Sequence, residues 1–307
     1  MNKLERVRAA LAGRPLDHPP FTLWCHMGTQ CAPPEVAARM HLEFLRGYDL
    51  DLLKVMHDYE YPLPPGLEAV STPADLARIA PLDVTQGPMG KELQVLEILG
   101  RELRGEALFL ETLFDPWNVC RRSLLKEALP AAMAEAPGAL EAAMRVVSDN
   151  LIRFALAALE RGAAGLFLAA HATAESVTRE QYERFMRPFH LQLFEALAGK
   201  GECHAIHAHG DKVYFDRLLD YPIRILSWDD RNAGPSITEM RNRTSMTLMA
   251  GLDHKRFHTL SAPALGRQVK DAIAQAGSTG FILAPGCAVE TWTQAPFIRA
   301  ARAAARE

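Results

Sequence analysis

Short apolar runs suited to β-strands alternate with longer helical stretches rich in Ala, Leu, Arg and Glu along the whole sequence. This alternation is typical of an α/β protein with a parallel sheet, because parallel neighbours need a crossover, usually helical, between them. Eight such units in 307 residues predict a (β/α)8 TIM barrel that spans residues 1–307 as a single domain. The eight predicted strands are Phe21–Trp24, Asp51–Val55, Leu108–Phe114, Gly165–Ala170, Cys203–Ala208, Ile225–Trp228, Thr247–Leu252 and Phe281–Ala284.

The predicted helices lie between these strands, and a last one follows the eighth strand. The unit before the third strand is the least regular, because residues 72–99 hold extra material in which we expect a hairpin over Met89–Glu97. No repeat and no linker rich in Pro, Gly or Ser divides the chain. The predicted helices are Glu35–Leu45, Leu124–Glu135, Leu140–Arg161, Arg179–Ala198, Lys212–Leu219, Ser236–Asn242, Ala264–Ala276 and Pro296–Arg306.

Two histidines and a distant cysteine form the motif with the clearest chemistry. In His207-Ala208-His209-Gly210 the two imidazoles are two residues apart, so on a strand they point to the same side of the sheet. Cys287, after Ala284-Pro285-Gly286, comes from the end of another predicted strand and would complete a three-ligand site for a soft divalent metal. The alternative interpretation is that the histidines are ordinary buried polar residues of a strand and that the cysteine is an inert core residue.

Polar and thiol side chains accumulate where the predicted strands end, which is where TIM barrels carry their chemistry. We expect His57 and Asp58, after the second strand, to act as general acid or base, although solvated loop residues are the alternative. His171, at the end of the fourth strand, is expected to contact substrate or metal. The side chains expected to contact substrate are Trp24, Cys25, His26, Trp117, Trp228 and Asp230.

Composition excludes several classes of protein. Lys and Arg total 34 against 37 Asp and Glu, and no basic stripe is interleaved with aromatic residues, so we expect no nucleic-acid partner. The start of the chain lacks the apolar core of a signal peptide, and no apolar run reaches the roughly 18 residues of a membrane span. The five cysteines show no disulfide spacing, and reduced thiols fit a cytoplasmic protein.

Four segments resemble the uroporphyrinogen decarboxylase superfamily. They are Glu5–Gly13 (ERVRAALAG) before an Asp-His-Pro-Pro turn, Tyr48–Val55 (YDLDLLKV), His207–Gly210 and Phe281–Cys287 (FILAPGC). The resemblance spans essentially the whole chain and implies a TIM barrel. It also implies one of two branches: metal-free decarboxylases of the porphyrin precursor, or zinc-dependent methyltransferases that work with corrinoid proteins.

The methyltransferase branch is the better match. The resemblance implies that His207 is the motif histidine and Cys287 the late cysteine, whereas His209 stands where that branch has cysteine. The decarboxylases grip substrate carboxylates with an arginine-rich segment near the amino terminus, but this chain has no arginine between Arg14 and Arg39. In related cobalamin-independent methionine synthases a later carboxylate adds a ligand, and Asp229 or Asp230 lies at that distance here. Either could instead orient a ligand histidine, cap a helix or pair with a neighbouring arginine.

The sequence thus predicts a zinc-dependent methyltransferase or demethylase subunit. It would move a methyl group between a corrinoid, supplied as methyl-corrinoid by a partner protein, and a thiol or a methoxy or methylthio small molecule. Histidine in place of cysteine makes the site more positive, which leaves Fe or Co open as the metal. The alternatives are a metal-independent carboxy-lyase and a non-catalytic protein that binds a tetrapyrrole or corrinoid. The family resemblance also makes a homodimer an expectation.

Overall fold

A curled sheet of seven parallel strands forms the centre of the molecule in the computed structural model, which describes all 307 residues. Each strand pairs with the next one in the chain, so spatial order equals sequence order. This order makes the fold TIM-barrel-like and brings every strand's carboxyl end to one rim. The strands are β1 (Leu52–Val55), β2 (Leu108–Phe114), β3 (Gly165–Ala170), β4 (Ala205–Ala208), β5 (Ile225–Trp228), β6 (Thr247–Leu252) and β7 (Phe281–Pro285).

The first predicted strand, Phe21–Trp24, is not a strand in the structure, so the prediction of eight strands is corrected to seven. Phe21 makes only an isolated parallel bridge to Leu283. The segment still lies between the two edge strands: Thr22 N donates to Leu283 O at 3.0 Å, and Asp51 N, just before β1, donates to Phe21 O at 2.8 Å. Pro19 and Pro20 precede it, and because proline has no N–H to donate, a regular ladder cannot extend through them.

Helices surround the sheet, and the region predicted as a hairpin over Met89–Glu97 is helical instead. Met89, Leu93 and Leu96 are buried at helical spacing on one face, which overrides the strand interpretation. The helices are α1 (Lys3–Leu11), α2 (Pro34–Gly47), α3 (Pro73–Leu76), α4 (Gly87–Glu102), α5 (Pro116–Val119), a π-helical turn (Cys120–Leu124), a 3-10 turn (Lys126–Ala128), α6 (Leu129–Glu135), α7 (Pro137–Glu160), α8 (Arg179–Phe185), α9 (Arg187–Ala196), α10 (Phe215–Leu218), α11 (Ile237–Arg241), a 3-10 turn (Phe257–Thr259), α12 (Ala262–Ala276) and α13 (Ala295–Ala304). None of them is long and apolar enough to cross a bilayer.

The two faces of the sheet bury different sets of side chains. Leu52 and Leu108 belong to a small apolar cluster inside the curl, whereas Leu53 and Phe109 belong to the large core under the helices. This is the alternation expected of strands buried on both faces. The same alternation decides which polar side chain of each strand faces the interior of the curl.

Candidate metal centre at the carboxyl ends of the strands

β4 positions the first histidine of the motif inside the curl, where it is almost fully buried. His207 pairs in register with Ser227 of β5, and its Nδ1 lies 3.1 Å from Ser227 Oγ. Its Nε2 is buried and has no hydrogen-bond partner. When the Ser227 hydroxyl accepts a hydrogen bond from Nδ1–H, the lone pair of the imidazole is on Nε2. This tautomer can bind a metal through Nε2.

His209 and Cys287 bring their donor atoms to the same place. One ligand atom each from His207, His209 and Cys287 lie within 4.8 Å of one another, and Cys287 Sγ lies 3.6 Å from His209 Nδ1. The cysteine reaches this position because Gly286 passes very close to Asp229: a Cβ on Gly286 would lie 2.8 Å from Asp229 Cα. The structure therefore brings together the three ligands that the sequence predicts.

The donor set fits a soft divalent ion such as zinc. Burial lowers the pKa of His207 well below its usual value and also lowers that of His209, so both imidazoles are neutral near pH 7 and available as ligands. Burial raises the pKa of the Cys287 thiol, so without a metal the thiol keeps its proton. The unpartnered Nε2 of His207 is a buried polar atom that a metal would satisfy.

A small polar cavity of about 190 Å³ opens onto this centre. Asp229, predicted as a fourth ligand, lies on it but outside the close group of three. Its Oδ1 accepts from Asn232 N at 3.2 Å and from Asn232 Nδ2 at 3.0 Å, and its Oδ2 is 3.7 Å from His254 Nδ1. Oδ1 thus already accepts two hydrogen bonds, whereas Oδ2 faces His254. The lining residues are Glu175, His209, Gly210, Asp211, Asp229, His254, Lys255, Gly286 and Cys287.

Asp230, predicted to contact substrate, does not line that cavity. Its Oδ1 accepts from Gly251 N at 2.8 Å, and its Oδ2 lies 3.1 Å from Arg231 Nε. Burial raises the pKa of Asp230 to about 6, although Arg231 and the Gly251 amide oppose this shift. The carboxyl therefore ties the end of β5 to β6 and is turned away from the centre.

His171 packs directly on the candidate centre. Its ring centroid is 4.4 Å from that of His209, and its Nδ1 lies 2.8 Å from Nδ2 of Asn118. Burial and the neighbouring His209 and Arg121 lower the pKa of His171 to about 3. A base with so low a pKa is a poor match for proton transfer near neutral pH. Its geometry brings it against His209, a predicted metal ligand, and its contact with substrate or metal stays a prediction.

His57 and Asp58 lie on a second cavity, of about 120 Å³. His57 Nδ1 is 2.8 Å from Glu111 Oε1. Asp58 accepts hydrogen bonds from His26 Nδ1 at 2.9 Å and from the Thr29 side chain at 3.2 Å. Burial raises the pKa of Asp58, but the hydrogen bond from His26 and those from the backbone amides of Thr29 and Met27 outweigh it and bring the value to about 2. Asp58 thus organises the loop at residues 26–29 as an ionised acceptor, and the role of His57 and Asp58 as general acid or base stays a prediction.

The aromatic and thiol side chains predicted to contact substrate are dispersed. Trp24 is inside the curl, 6.3 Å from His207 between ring centroids, and Trp117 lies 6.1 Å from His171. Trp228 is fully buried and donates its Nε1–H to Pro235 O at 2.8 Å, so it faces the core and not a cavity. Cys25 and His26 line a separate groove of about 440 Å³ beside α2 and α13. Trp24 and Trp117 therefore flank the histidines, and the other three do not.

Sequence reasoning assigned no role to several side chains that the fold brings to the rim. Ser227 orients His207, and His254 faces the same cavity as Cys287. Arg121 of the π-helical turn places its Nη2 3.3 Å from His171 Nε2. His254 follows a predicted strand, so its position was a usable signal, whereas nothing local marks Ser227 or Arg121.

Three comparisons place the chain among known proteins. The family model described as Uroporphyrinogen decarboxylase (URO-D) matches residues 2–307, and no curated protein matches the chain. A solved methyltransferase from Methanosarcina mazei is similar with a TM-score of 0.82 at 17% identity, over 99% of this chain and 98% of that one. A B12-independent methionine synthase from Shewanella sp. W3-18-1 is similar with a TM-score of 0.62 at 12% identity, over 94% and 91% of the two chains. At these identities the two structures show a shared fold.

Proposed function

The chain belongs to the uroporphyrinogen decarboxylase family, and we propose that it is a zinc-dependent methyltransferase or demethylase subunit. It would move a methyl group between a corrinoid held by a partner protein and a thiol or a methoxy or methylthio small molecule. The observation that carries this proposal is the buried, unpartnered Nε2 of His207 beside His209 and Cys287. The similarity in fold to a methyltransferase supports the reaction class.

The residues of the chain have distinct parts in this proposal. His207, His209 and Cys287 would hold the zinc ion, which when bound would supply Lewis-acid activation of the substrate's sulfur or oxygen. Ser227 holds the His207 ring in place, and His171 packs against His209. Three protein ligands leave a position for substrate, as in catalytic zinc sites.

Charge also bears on the substrate. Two neutral histidines and one thiolate leave a divalent ion with a net charge of about +1, more positive than a site with two thiolates. Asp229, on the cavity beside Cys287, is the nearby carboxylate that can balance this charge. We propose it as a fourth ligand that the substrate would replace, or as the partner of His254, 3.7 Å away.

Metal analysis joined to a methyl-transfer assay tests the proposal. Protein purified under reducing conditions should hold about one zinc per chain and should demethylate methylcobalamin when a thiol is added, seen as a change in the corrinoid spectrum. His207→Ala, His209→Ala and Cys287→Ala should lose both metal and activity. His204→Ala is the matched control, because its Nε2 contacts Lys200 O, away from the centre.

Other results would favour the competing functions. Release of CO₂ from a carboxylated substrate by metal-free protein would indicate a carboxy-lyase. Tight corrinoid or tetrapyrrole binding without turnover, unchanged in Cys287→Ser, would indicate a binding protein. Either result contradicts the proposed methyl transfer.

A further inference from the structure

A second cluster of ligand side chains lies outside the centre described above. His57 follows β1, Glu111 is on β2 and Glu92 is on α4, and one ligand atom from each lies within 4.8 Å of the others. Glu111 has the same strand parity as Phe109 and Leu113, which belong to the core under the helices. The cluster therefore lies between the sheet and the helices, whereas His207 faces the inside of the curl.

The two carboxylates of this cluster are buried with no cation in direct contact, although the charge of Lys54 acts on Glu111 and lowers its pKa. Glu92 is 2% exposed and Glu111 is 0% exposed. Neither forms a salt bridge with a lysine or an arginine. The only basic side chain in contact is His57, whose Nδ1 is 2.8 Å from Glu111 Oε1. Glu92 Oε1 and Glu111 Oε2 are buried and have no hydrogen-bond partner unless one carboxyl group is protonated and bonds to the other. Buried carboxylates are normally paired or bound to a metal. This cluster therefore requires a cation or a proton to neutralise its charge.

We propose that Glu92, Glu111 and His57 form a second site for a divalent metal cation. Two carboxylates neutralise a doubly charged ion, and the imidazole favours a transition metal such as Mn²⁺ or Fe²⁺ over Mg²⁺ or Ca²⁺. The site is not closed, because His57 also lines the 120 Å³ cavity beside it. Water or a small ligand in this cavity would complete the coordination.

The alternative occupant of the cluster is a proton shared by the two carboxyl groups. Burial raises the pKa of both Glu92 and Glu111 well above the usual value. The charge of Glu111 raises the pKa of Glu92 further, whereas Lys54 and the hydrogen bond from Glu92 lower that of Glu111. A shared proton would satisfy one of the unpartnered oxygens but would leave the cluster unable to bind an ion. The metal and the proton are therefore distinguished by titration with a cation.

The test uses the full-length double variant His207→Ala/Cys287→Ala, which lacks the first centre. After chelation, the protein is titrated with Mn²⁺, and free Mn²⁺ is followed by electron paramagnetic resonance. We expect about one Mn²⁺ per chain and a rise in the melting temperature on adding Mn²⁺, with a much weaker response to Mg²⁺. Glu92→Gln or Glu111→Gln, added to the same background, should weaken Mn²⁺ binding by more than about a hundredfold.

Glu97→Gln is the matched control, because Glu97 is an exposed carboxylate on the same helix, α4. The glutamine variants should fold, since each removes a buried charge and keeps the shape of the side chain, and circular dichroism checks this. Failure of the double variant to bind Mn²⁺, or binding that Glu92→Gln and Glu111→Gln leave unchanged, would overturn the proposal. Because the first centre is already removed, neither outcome depends on the methyl-transfer assay.

Discussion

Lys54 is a charged side chain in an unusual place, inside the curl of the sheet. It is 4% exposed, its Nζ lies 2.9 Å from Met56 Sδ, and it sits over the rings of Trp24 and Phe167 at 5.7 and 5.1 Å. Burial lowers the pKa of Lys54 to about 8, while Cys287 and Glu111 oppose the shift. An ionised Cys287 would be its natural counter-charge, so the lysine favours the thiolate form that a metal needs.

We predict that Lys54→Met stabilises the metal-free protein at pH 7. The pKa of about 8 in the folded state lies below the unfolded value of about 10.4. The buried charge of Lys54 therefore destabilises the folded state by its full amount below pH 8. This destabilisation disappears as the pH approaches 10.4. The free energy of unfolding in urea should rise by on the order of 2–3 kcal/mol at pH 7, with a smaller gain at pH 9.5.

The exposed Lys91 on α4 provides the comparison, because Lys91→Met should change the free energy of unfolding by less than about 0.5 kcal/mol at either pH. A Lys54→Met variant with no gain at pH 7, or with the same gain at both pH values, would contradict the argument.

At the scale of the element, backbone packing at the end of β7 positions Cys287, the cysteine of the candidate centre. Gly286 N donates to Leu252 O at 3.0 Å, which holds the end of β7 against β6. A Cβ at this position would lie 2.7 Å from Asp229 Oδ1 and 2.8 Å from Asp229 Cα. Real side chains do not tolerate such contacts, so a larger residue must push β7 away from the end of β5.

We predict that Gly286→Ala weakens zinc binding by at least about tenfold and destabilises the protein by about 1–3 kcal/mol. The shift moves Cys287 relative to His209, so affinity falls although all three ligands remain. Competition with a chromophoric chelator measures the affinity. Gly138→Ala is the control, since a Cβ there meets nothing within 4 Å, and it should bind zinc as the wild type does. Unchanged affinity in Gly286→Ala would show that Gly286 does not set the position of the cysteine.

At the scale of the whole molecule, the candidate centre joins distant parts of the chain. His207 is on β4 and His209 directly follows it, whereas Cys287 follows β7, with β5 and β6 between them in the sheet. His209 and Cys287 are 78 residues apart in sequence. A metal bound there stabilises only the folded state, because the unfolded chain does not bring these ligands together.

We therefore predict that removing the metal lowers the melting temperature. At a free zinc concentration about 1,000 times Kd, binding to the folded state adds about 4 kcal/mol to the free energy of unfolding. This corresponds to a rise in melting temperature of roughly 5–10 °C for a chain of this size. Differential scanning calorimetry before and after chelation measures the change. Cys287→Ser should show a clearly smaller shift, and an equal shift in wild type and variant would place the stabilising metal elsewhere.

Much of the architecture could be predicted from local sequence patterns. The last seven predicted strands are confirmed. Each is a short and mainly apolar run, which is the pattern of a strand buried on both faces of a sheet. The family assignment rested on short motifs and is confirmed over residues 2–307. The hairpin over Met89–Glu97 was wrong, since a short apolar run does not distinguish a buried helix from a strand. Arg179–Ala198 is two helices, because Pro188 lies at the start of α9 and cannot donate to the turn before it.

The sequence by itself determined the parallel α/β pattern and singled out His207, His209 and Cys287, because strand periodicity and ligand chemistry can be recognised in short motifs. Only the tertiary structure decided that Phe21–Trp24 makes a bridge instead of a strand, since that depends on the edges of β1 and β7. It also decided that Glu92 and Glu111, from a helix and a strand, share one buried site. Burial and charge proximity arise from contacts between remote segments, and no local pattern encodes them.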